Sequence, residues 1–395
     1  SKKYPEGRTL TTAFDRAGYR TVGTGKLLHQ GGHSDFDEYF SVGQRWSPFE
    51  KEDVEYTPNE LPSKRTENPR HVLKDSQGQT VVLPLNRMPS DRRPNSKSGE
   101  SFDWGPFDVP DSDFGDTQIT DWAIEKLKEK SEQPLFLAVG YYRPHIPLWA
   151  PNRFFDRFEK TPAELPPVLE NDLADLSKTA KKWALEPVTA GSHATVVKHQ
   201  QWQAAVEAYL ACVSYVDHEI GRLLDALDKS RVTDNTVVVL WSDHGWHLGE
   251  KQHWGKWTGW EQSTRVPLII VPPRNQKADF ASNARCTATV SLVDLYPTLV
   301  ELCGADGPKR LDGQSLVTLL EKPAQSTGRA VVTMFDRGNM SLRTDRWRLI
   351  RYADGSQELY DHSRDSHEWK NLSGDPEFAD IQQQLSRQLE PVTSR

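Results

Sequence analysis

An aspartate and a histidine stand together where an apolar run, NTVVVLW (235–241), gives way to Ser242-Asp243-His244-Gly245. A charged aspartate at the end of a strand needs partners, and a divalent metal is one; the competing reading is that Ser242 and Asp243 cap the turn that follows. Two other apolar runs end in similar company. YRTVG (19–23) is followed by Lys26 and His29, and LFLAVG (135–140) by Arg143 and His145. His247, His253 and Lys256 follow Asp243, the lysine inside the tryptophan-rich run WGKWTGW. Cations and imidazoles around one carboxylate suit a group of anionic oxygens, held by charge and assisted by a metal or a general acid. Each residue also has a plainer reading. Lys26 can simply reach solvent, and His29 and His145 can pack within their loops. Lys256 is either a cation lying on a tryptophan face or a desolvated clamp for phosphate or sulfate.

These residues need a frame that brings strand ends together. Thr9 to Ala17 reads as a helix capped by Thr9 and stopped by Gly18. A second helix is expected from Asp116 to about Lys130, and a third from Trp202 to Lys229, where Val206, Leu210, Val213, Ile220, Leu224 and Leu227 repeat at helical spacing. LFLAVG, NTVVVLW and RVPLIIV (265–271) read as buried strands, and VSLVDLYPTLVELCG as a helix ending at Gly304. Alternating strands and helices imply an α/β fold, a large mixed, mainly parallel sheet sandwiched by helices, in which ligands bind beyond the carboxyl ends of strands. Residues 30–115 are polar and loop-like, apart from the strand-like VVLPL (81–85). EKPAQSTGR (321–329) reads as a linker, dividing the chain into a domain of residues 1–325 and a C-terminal subdomain of residues 326–395. The subdomain is expected to be a small antiparallel sheet of four short strands with one helix, its last two strands turning at Asp354-Gly355.

Composition removes some classes of function. With 49 basic and 56 acidic residues among 395, the chain carries a net charge of −7, which argues against a general nucleic-acid binder. No apolar run approaches the roughly 18 residues needed to span a bilayer. Cys212, Cys286 and Cys303 form no metal-binding spacing, leave room for one disulfide, and do not fix the compartment. The first residues, SKKYPEGRTL, carry no signal peptide.

Taken together, GYRTVGTGKLLH (18–29), FLAVGYYRPHIPLWAP (136–151), SYVDHEIGRLLDALD (214–228), VVVLWSDHGWHLGEKQHWGKWTGWEQSTRVPLII (237–270) and LVDLYPTLVELCG (292–304) resemble the type I sulfatases of the alkaline-phosphatase-like superfamily, in their iduronate-2-sulfatase-like subgroup. The tail, SLRTDRWRLIRYADGSQELYDHSRDSHEWKNL (341–372), also resembles that family's C-terminal subdomain. The resemblance implies that Lys26 and His29 surround the reacting aldehyde hydrate and the sulfate. It implies that His145 meets the sulfate or the leaving oxygen, that Lys256 holds the sulfate, and that Asp243 and His244 ligate calcium. An imidazole on calcium is unusual, since calcium prefers oxygen ligands, and rests on the resemblance alone. Trp246 and His247 become substrate-binding candidates. The implied substrate is a sulfated carbohydrate, in a periplasmic, extracellular or lysosomal setting.

One departure is large. The family's nucleophile is a Cys or Ser followed by x-Pro-Ser-Arg, oxidised to formylglycine, and no cysteine or serine here stands in that pattern. The family's first strand, with an Asp-Asp pair that completes the metal site, is not found either. Both are expected upstream of Thr9, so the chain as given is expected to be inactive alone. The rivals are a phosphodiesterase or phosphonate monoester hydrolase of the same superfamily, and a sulfated-glycan-binding protein without catalysis.

Overall fold

The computed structural model describes residues 9–29, 33–43, 45–49, 71–74, 77–88, 102–187, 191–275 and 279–393. The first elements in chain order are α1 (Leu10–Arg16), β1 (Arg20–Gly25), β2 (Glu38–Phe40), β3 (His71–Lys74), β4 (Thr80–Leu83), β5 (Trp104–Phe107), α2 (Gly115–Lys128), β6 (Leu135–Gly140) and β7 (Leu148–Pro151). Short helices α3 (Asp156–Lys160), α4 (Lys178–Leu185) and α5 (His193–Lys198) precede the long α6 (Trp202–Asp228). Then come β8 (Val238–Trp241), β9 (His247–Leu248), β10 (Trp254–Gly255), α7 (Glu261–Thr264), β11 (Leu268–Val271), α8 (Leu295–Cys303) and α9 (Val317–Glu321). The chain closes with β12 (Val331–Asp336), β13 (Asn339–Arg343), β14 (Trp347–Arg351), β15 (Gln357–Asp361) and α10 (Ala379–Thr393). Much of the expected 30–115 loop lies outside the described residues; within it β3 and β4 pair as an antiparallel ladder.

The chain falls into two compact units, each built from several segments: residues 1–165, 189–236 and 304–309 in one, and 166–188, 237–303 and 310–395 in the other. The expected break near residue 325 is therefore not where the contacts divide, because 166–188 and 237–303 group with the C-terminal sheet.

In the first unit, β1 lies between β2 and β6, parallel to both. The Thr9 hydroxyl accepts the Thr12 amide at 3.3 Å and starts α1, while Gly18, at φ +85°, ends it and turns the chain into β1. Register runs from Arg20 opposite Leu135 to Gly25 opposite Gly140. A Cβ on Gly25 would stand 2.0 Å from the Gly140 carbonyl oxygen, so the two strands end on glycine where the chain must leave the sheet. α2 packs on β1 and β6 and against α6. That helix pair is tied by polar groups: the Tyr215 hydroxyl accepts the Thr117 amide at 3.0 Å, and Thr117 donates to the buried Glu219, itself paired with Arg222. β5 and β7 form a separate parallel pair.

In the second unit, β8 pairs antiparallel with β11, and β12 to β15 form a four-stranded antiparallel meander. α10 packs on β13 and β14. Met340, Leu342, Leu349 and Leu359 on the sheet meet Leu385 and Leu389, one helical turn apart on α10. Each such fully buried leucine contributes about 1.5–3 kcal/mol through apolar burial. A second cluster gathers Leu176, Ala180 and Ala184 around Trp260, Ile350, Tyr352 and Tyr360. Two readings of the sequence are corrected. The strands read as buried are only half-covered: β6 is of intermediate exposure throughout, and Trp241, Ile269 and Val271 are 45%, 52% and 49% exposed. The one disulfide for which Cys212, Cys286 and Cys303 leave room is not formed.

Candidate active site

The candidate residues divide between the units. In the first, Lys26 leaves β1 directly after Gly25, and its amide donates to the Gly140 carbonyl at 2.7 Å, so its main chain is fixed by the neighbouring strand. Its ammonium lies 5.5 Å from the centre of the Tyr142 ring. The Tyr142 hydroxyl is 2.9 Å from His145 Nδ1 and donates to the Ile146 carbonyl at 3.2 Å. The same Nδ1 lies 2.8 Å from the Ile146 oxygen. A carbonyl can only accept, so Nδ1 carries the proton and Nε2 is left as the exchangeable nitrogen. One tyrosine therefore brings together Lys26 and His145, which lie far apart in sequence. Burial raises the Tyr142 phenol well above its ordinary value, so it stays protonated.

Beneath these side chains, the carboxylate of Asp116 on α2 accepts the amides of Tyr142 at 2.7 Å and Arg143 at 3.0 Å. Asp116 and Arg143 are 2% and 3% exposed. The Arg143 guanidinium is spent inside, donating to the carbonyls of Trp149 at 2.7 Å and Ser47 at 3.2 Å. It holds the loop and offers no charge to a ligand. His29 is exposed.

In the second unit, β8 delivers Asp243 and His244 to one point. His244 Nε2 is 3.5 Å from Asp243 Oδ1 and 2.7 Å from the Lys256 ammonium. His244 Nδ1 lies 2.8 Å from the Gly245 carbonyl, which again places the ring proton on Nδ1 and leaves the Nε2 lone pair facing Asp243 and Lys256. Gly245 permits this turn: a Cβ there would stand 1.9 Å from the Gln262 carbonyl oxygen. The carboxylate is 67% exposed. A carboxylate oxygen and an imidazole nitrogen on one side of the chain, the ring oriented through its other nitrogen, are ligand types suited to a divalent ion. The residues present fit a divalent ion to that extent.

Another trio is excluded by its own charge balance. Glu261, His362 and Glu368 place ligand atoms within 4.8 Å of one another. Arg348 pairs with both glutamates, Arg343 stands 3.3 Å from Glu261, and His362 is 2.8 Å from Glu368. Burial alone would raise the Glu368 carboxyl, but Arg348 and His362 hold it at about 2. The group is a neutralised internal network.

Trp246 and His247 sit differently from the substrate contacts expected of them. Trp246 is 9% exposed and His247 is fully buried. The His247 ring nitrogens lie 3.2 Å from the Glu250 carbonyl and 3.0 Å from the Thr258 hydroxyl. His253 is likewise buried, with its nitrogens 2.8 Å from the Ala184 carbonyl and 3.0 Å from the Lys256 carbonyl. Burial pushes both imidazoles below their ordinary value, and the two carbonyls that face His253 oppose the shift; both rings brace the loop that carries Lys256. Sequence reasoning passed over Tyr142, Asp116 and the holding role of His253. The only signal was that Tyr142 stands beside Arg143 and His253 near Lys256; nothing in the sequence marks Asp116.

Comparison with known proteins places this geometry. A family model described as sulfatase matches residues 2–305, and one described as N-sulphoglucosamine sulphohydrolase, C-terminal, matches residues 249–395. A sulfatase of Formosa agariphila is 32% identical over 93% of this chain and 66% of its own length. Mouse iduronate 2-sulfatase is 32% identical over 76% of this chain and 55% of its own length. The chain thus spans about half to two thirds of these relatives. A phosphonate monoester hydrolase from Silicibacter pomeroyi shares the fold, with a TM-score of 0.73 at 21% identity over 99% of this chain and 80% of its own. The matched models lead to one conclusion: the chain belongs to the sulfatase family, with its alkaline-phosphatase-like fold.

Proposed function

We propose that this chain is the greater part of a sulfuric ester hydrolase acting on a sulfated sugar or glycan, in the manner of the iduronate sulfatases. The observation that carries the reading is the Asp243–His244–Lys256 group, in which a lysine ammonium stands 2.7 Å from the imidazole of a candidate metal ligand. Such a pairing suits a metal-bound anion with charged oxygens beside the metal. In this reading Lys26, His29 and His145 act on the substrate as the family resemblance implies, and Asp243, His244 and Lys256 hold metal and sulfate. The reading includes a segment upstream of this chain that carries the nucleophile motif.

A formylglycine in that upstream segment would supply the attacking oxygen, and calcium held in part by Asp243 and His244 would polarise the sulfuryl oxygens. The chain's own residues do the rest. Lys26 and Lys256 spread the charge that builds on the sulfuryl oxygens as the ester bond lengthens. His145, its Nδ1 proton fixed on the Ile146 carbonyl, gives a proton from Nε2 to the departing sugar oxygen. His29, exposed after β1, takes the proton released by the nucleophile. No described helix is long and apolar enough to cross a membrane. Like the sugar substrate, an extracellular, periplasmic or lysosomal setting is part of this proposal.

The test is turnover of a chromogenic aryl sulfate, then of sulfated oligosaccharides, by the chain joined to its upstream segment in a host that makes formylglycine. Lys256→Ala should lower kcat by about 10²-fold or more, as for loss of one charge-stabilising donor. Hydrolysis of aryl phosphonates or phosphodiesters with no action on any sulfate ester would assign the phosphorus-directed branch of the superfamily instead. Tight binding of sulfated glycans without turnover would make this a glycan-binding protein.

A further inference from the structure

We propose that Trp257 is a stacking platform for a sugar ring of the substrate, next to the sulfate held by Lys256. The proposal rests on the sulfatase reading and gives its site a sugar-facing side. From Lys251 to Trp260 the chain is otherwise buried or half-buried, yet Trp257 is 53% exposed. A single exposed aromatic residue is ordinary on any protein surface. This one is held in an unusual backbone conformation, φ +75°, a left-handed region that bulky side chains seldom enter. Such a conformation persists only where the surroundings impose it, and it gathers at functional sites.

Those surroundings are on both sides of Trp257. The Lys256 carbonyl before it lies 3.0 Å from His253 Nε2, and the other nitrogen of that buried ring lies 2.8 Å from the Ala184 carbonyl. The Thr258 hydroxyl after it lies 3.0 Å from His247 Nε2 and donates to Ser263 at 2.8 Å. Two buried histidines therefore pin the residues flanking Trp257. Between these two held residues the chain turns left-handed at Trp257, and the indole is exposed. Its chain neighbours add no exposed apolar area, so what is offered is one aromatic ring, matched to the face of one pyranose rather than to a protein surface. Sugar C–H groups carry partial positive charge and suit the negative face of an indole. The ammonium that would hold the sulfate belongs to the preceding residue, so ring and ester are read by consecutive side chains.

Isothermal titration separates this idea from the reading beneath it. The ligands are inorganic sulfate and a panel of sulfated disaccharides; the proteins are the complete enzyme, Trp257→Ala and Trp257→Phe. Trp257→Ala should weaken the best disaccharide by about tenfold, Trp257→Phe should keep most of its affinity, and sulfate should bind all three alike. Circular dichroism checks that the exposed substitutions leave the fold intact. Equal disaccharide affinity for Trp257→Ala and the parent would overturn the platform and leave the sulfatase reading standing. Equal weakening of sulfate and disaccharide would overturn it too, since the defect would then lie at Lys256. A parent enzyme that binds neither sulfate nor any sulfated disaccharide would remove both.

Discussion

Tyr142→Phe isolates what the tyrosine hydroxyl does for His145. The hydroxyl is 2.9 Å from His145 Nδ1 and bonds the Ile146 carbonyl at 3.2 Å, while the ring carries the Lys26 ammonium at 5.5 Å. Phenylalanine keeps the ring and removes only the hydroxyl. His145 keeps its second contact, the Ile146 carbonyl at 2.8 Å, so the imidazole keeps its tautomer and loses one restraint. A net hydrogen bond of this kind is worth about 0.5–1.5 kcal/mol, or roughly 2- to 13-fold in turnover. Tyr142→Leu also removes the ring. It should weaken sulfate binding by a further 2- to 5-fold or so, through loss of about 0.5–1 kcal/mol of cation–π attraction at Lys26. The assay is steady-state hydrolysis of an aryl sulfate by the complete enzyme over a range of pH, with sulfate inhibition constants for both variants. Because the phenol stays protonated well above its ordinary range, the alkaline limb of the profile should not move in Tyr142→Phe. A loss beyond about a hundredfold, or a displaced alkaline limb, would show that the hydroxyl takes part in the reaction itself and would refute the positioning argument.

Three further outcomes follow from the packing. Leu389→Ala empties a fully buried position between α10 and the C-terminal sheet and should cost about 2–5 kcal/mol in chemical denaturation; a change below 1 kcal/mol or so would mean the helix is not anchored there. Asp116→Asn leaves one of two buried amides, Tyr142 or Arg143, without its acceptor and should cost about 1–3 kcal/mol by the same measurement. Glu368 is held at about 2 in the fold, below its ordinary 4.5, so its stabilisation is complete above about pH 4.5 and is lost as the pH falls towards 2. Thermal melts of Glu368→Gln should therefore lie below the parent at neutral pH and lose less on acidification; parallel acid profiles would disprove the coupling.

What was legible in the chain were elements whose local chemistry is self-sufficient. Residues 135–140 form a strand with the expected ends, and the Thr9 cap and the Gly18 stop both stand where their side-chain chemistry put them. The periodicity that announced α6 ends within one residue of Asp228. Burial was less legible: NTVVVLW is apolar enough for a strand covered on both sides, but coverage depends on which partner lies alongside, and that is not written in the run itself. At the site, residue type and spacing singled out Asp243, His244 and Lys256, and the structure shows these three in contact. They did not reveal that His247 and His253 face inward. The run His244–His253 holds three imidazoles with no periodicity to sort them, and the groups that claim the two buried ones include the carbonyl of Ala184, 69 positions from His253. Tyr142 was hidden for the same reason, since its partner Lys26 lies on a different strand.

The discontinuity of the second unit bears on how the molecule is made. Segment 166–188 belongs to a body completed only by the last residues of the chain. Asp175 accepts the amide of Asn371 at 2.8 Å, a bond closed across 196 positions, and Asp172 receives the buried Lys251 ammonium at 2.6 Å from 79 positions away. At about 5–20 residues per second, a ribosome takes roughly 10–40 s to deliver Asn371 after Asp175. Through that interval the early segment waits with Leu173, Leu176 and the small-residue face of α4 lacking the sheet they will pack against. A nascent chain in this condition is a natural client for a chaperone, and stalled synthesis would release a product with its apolar segment uncovered.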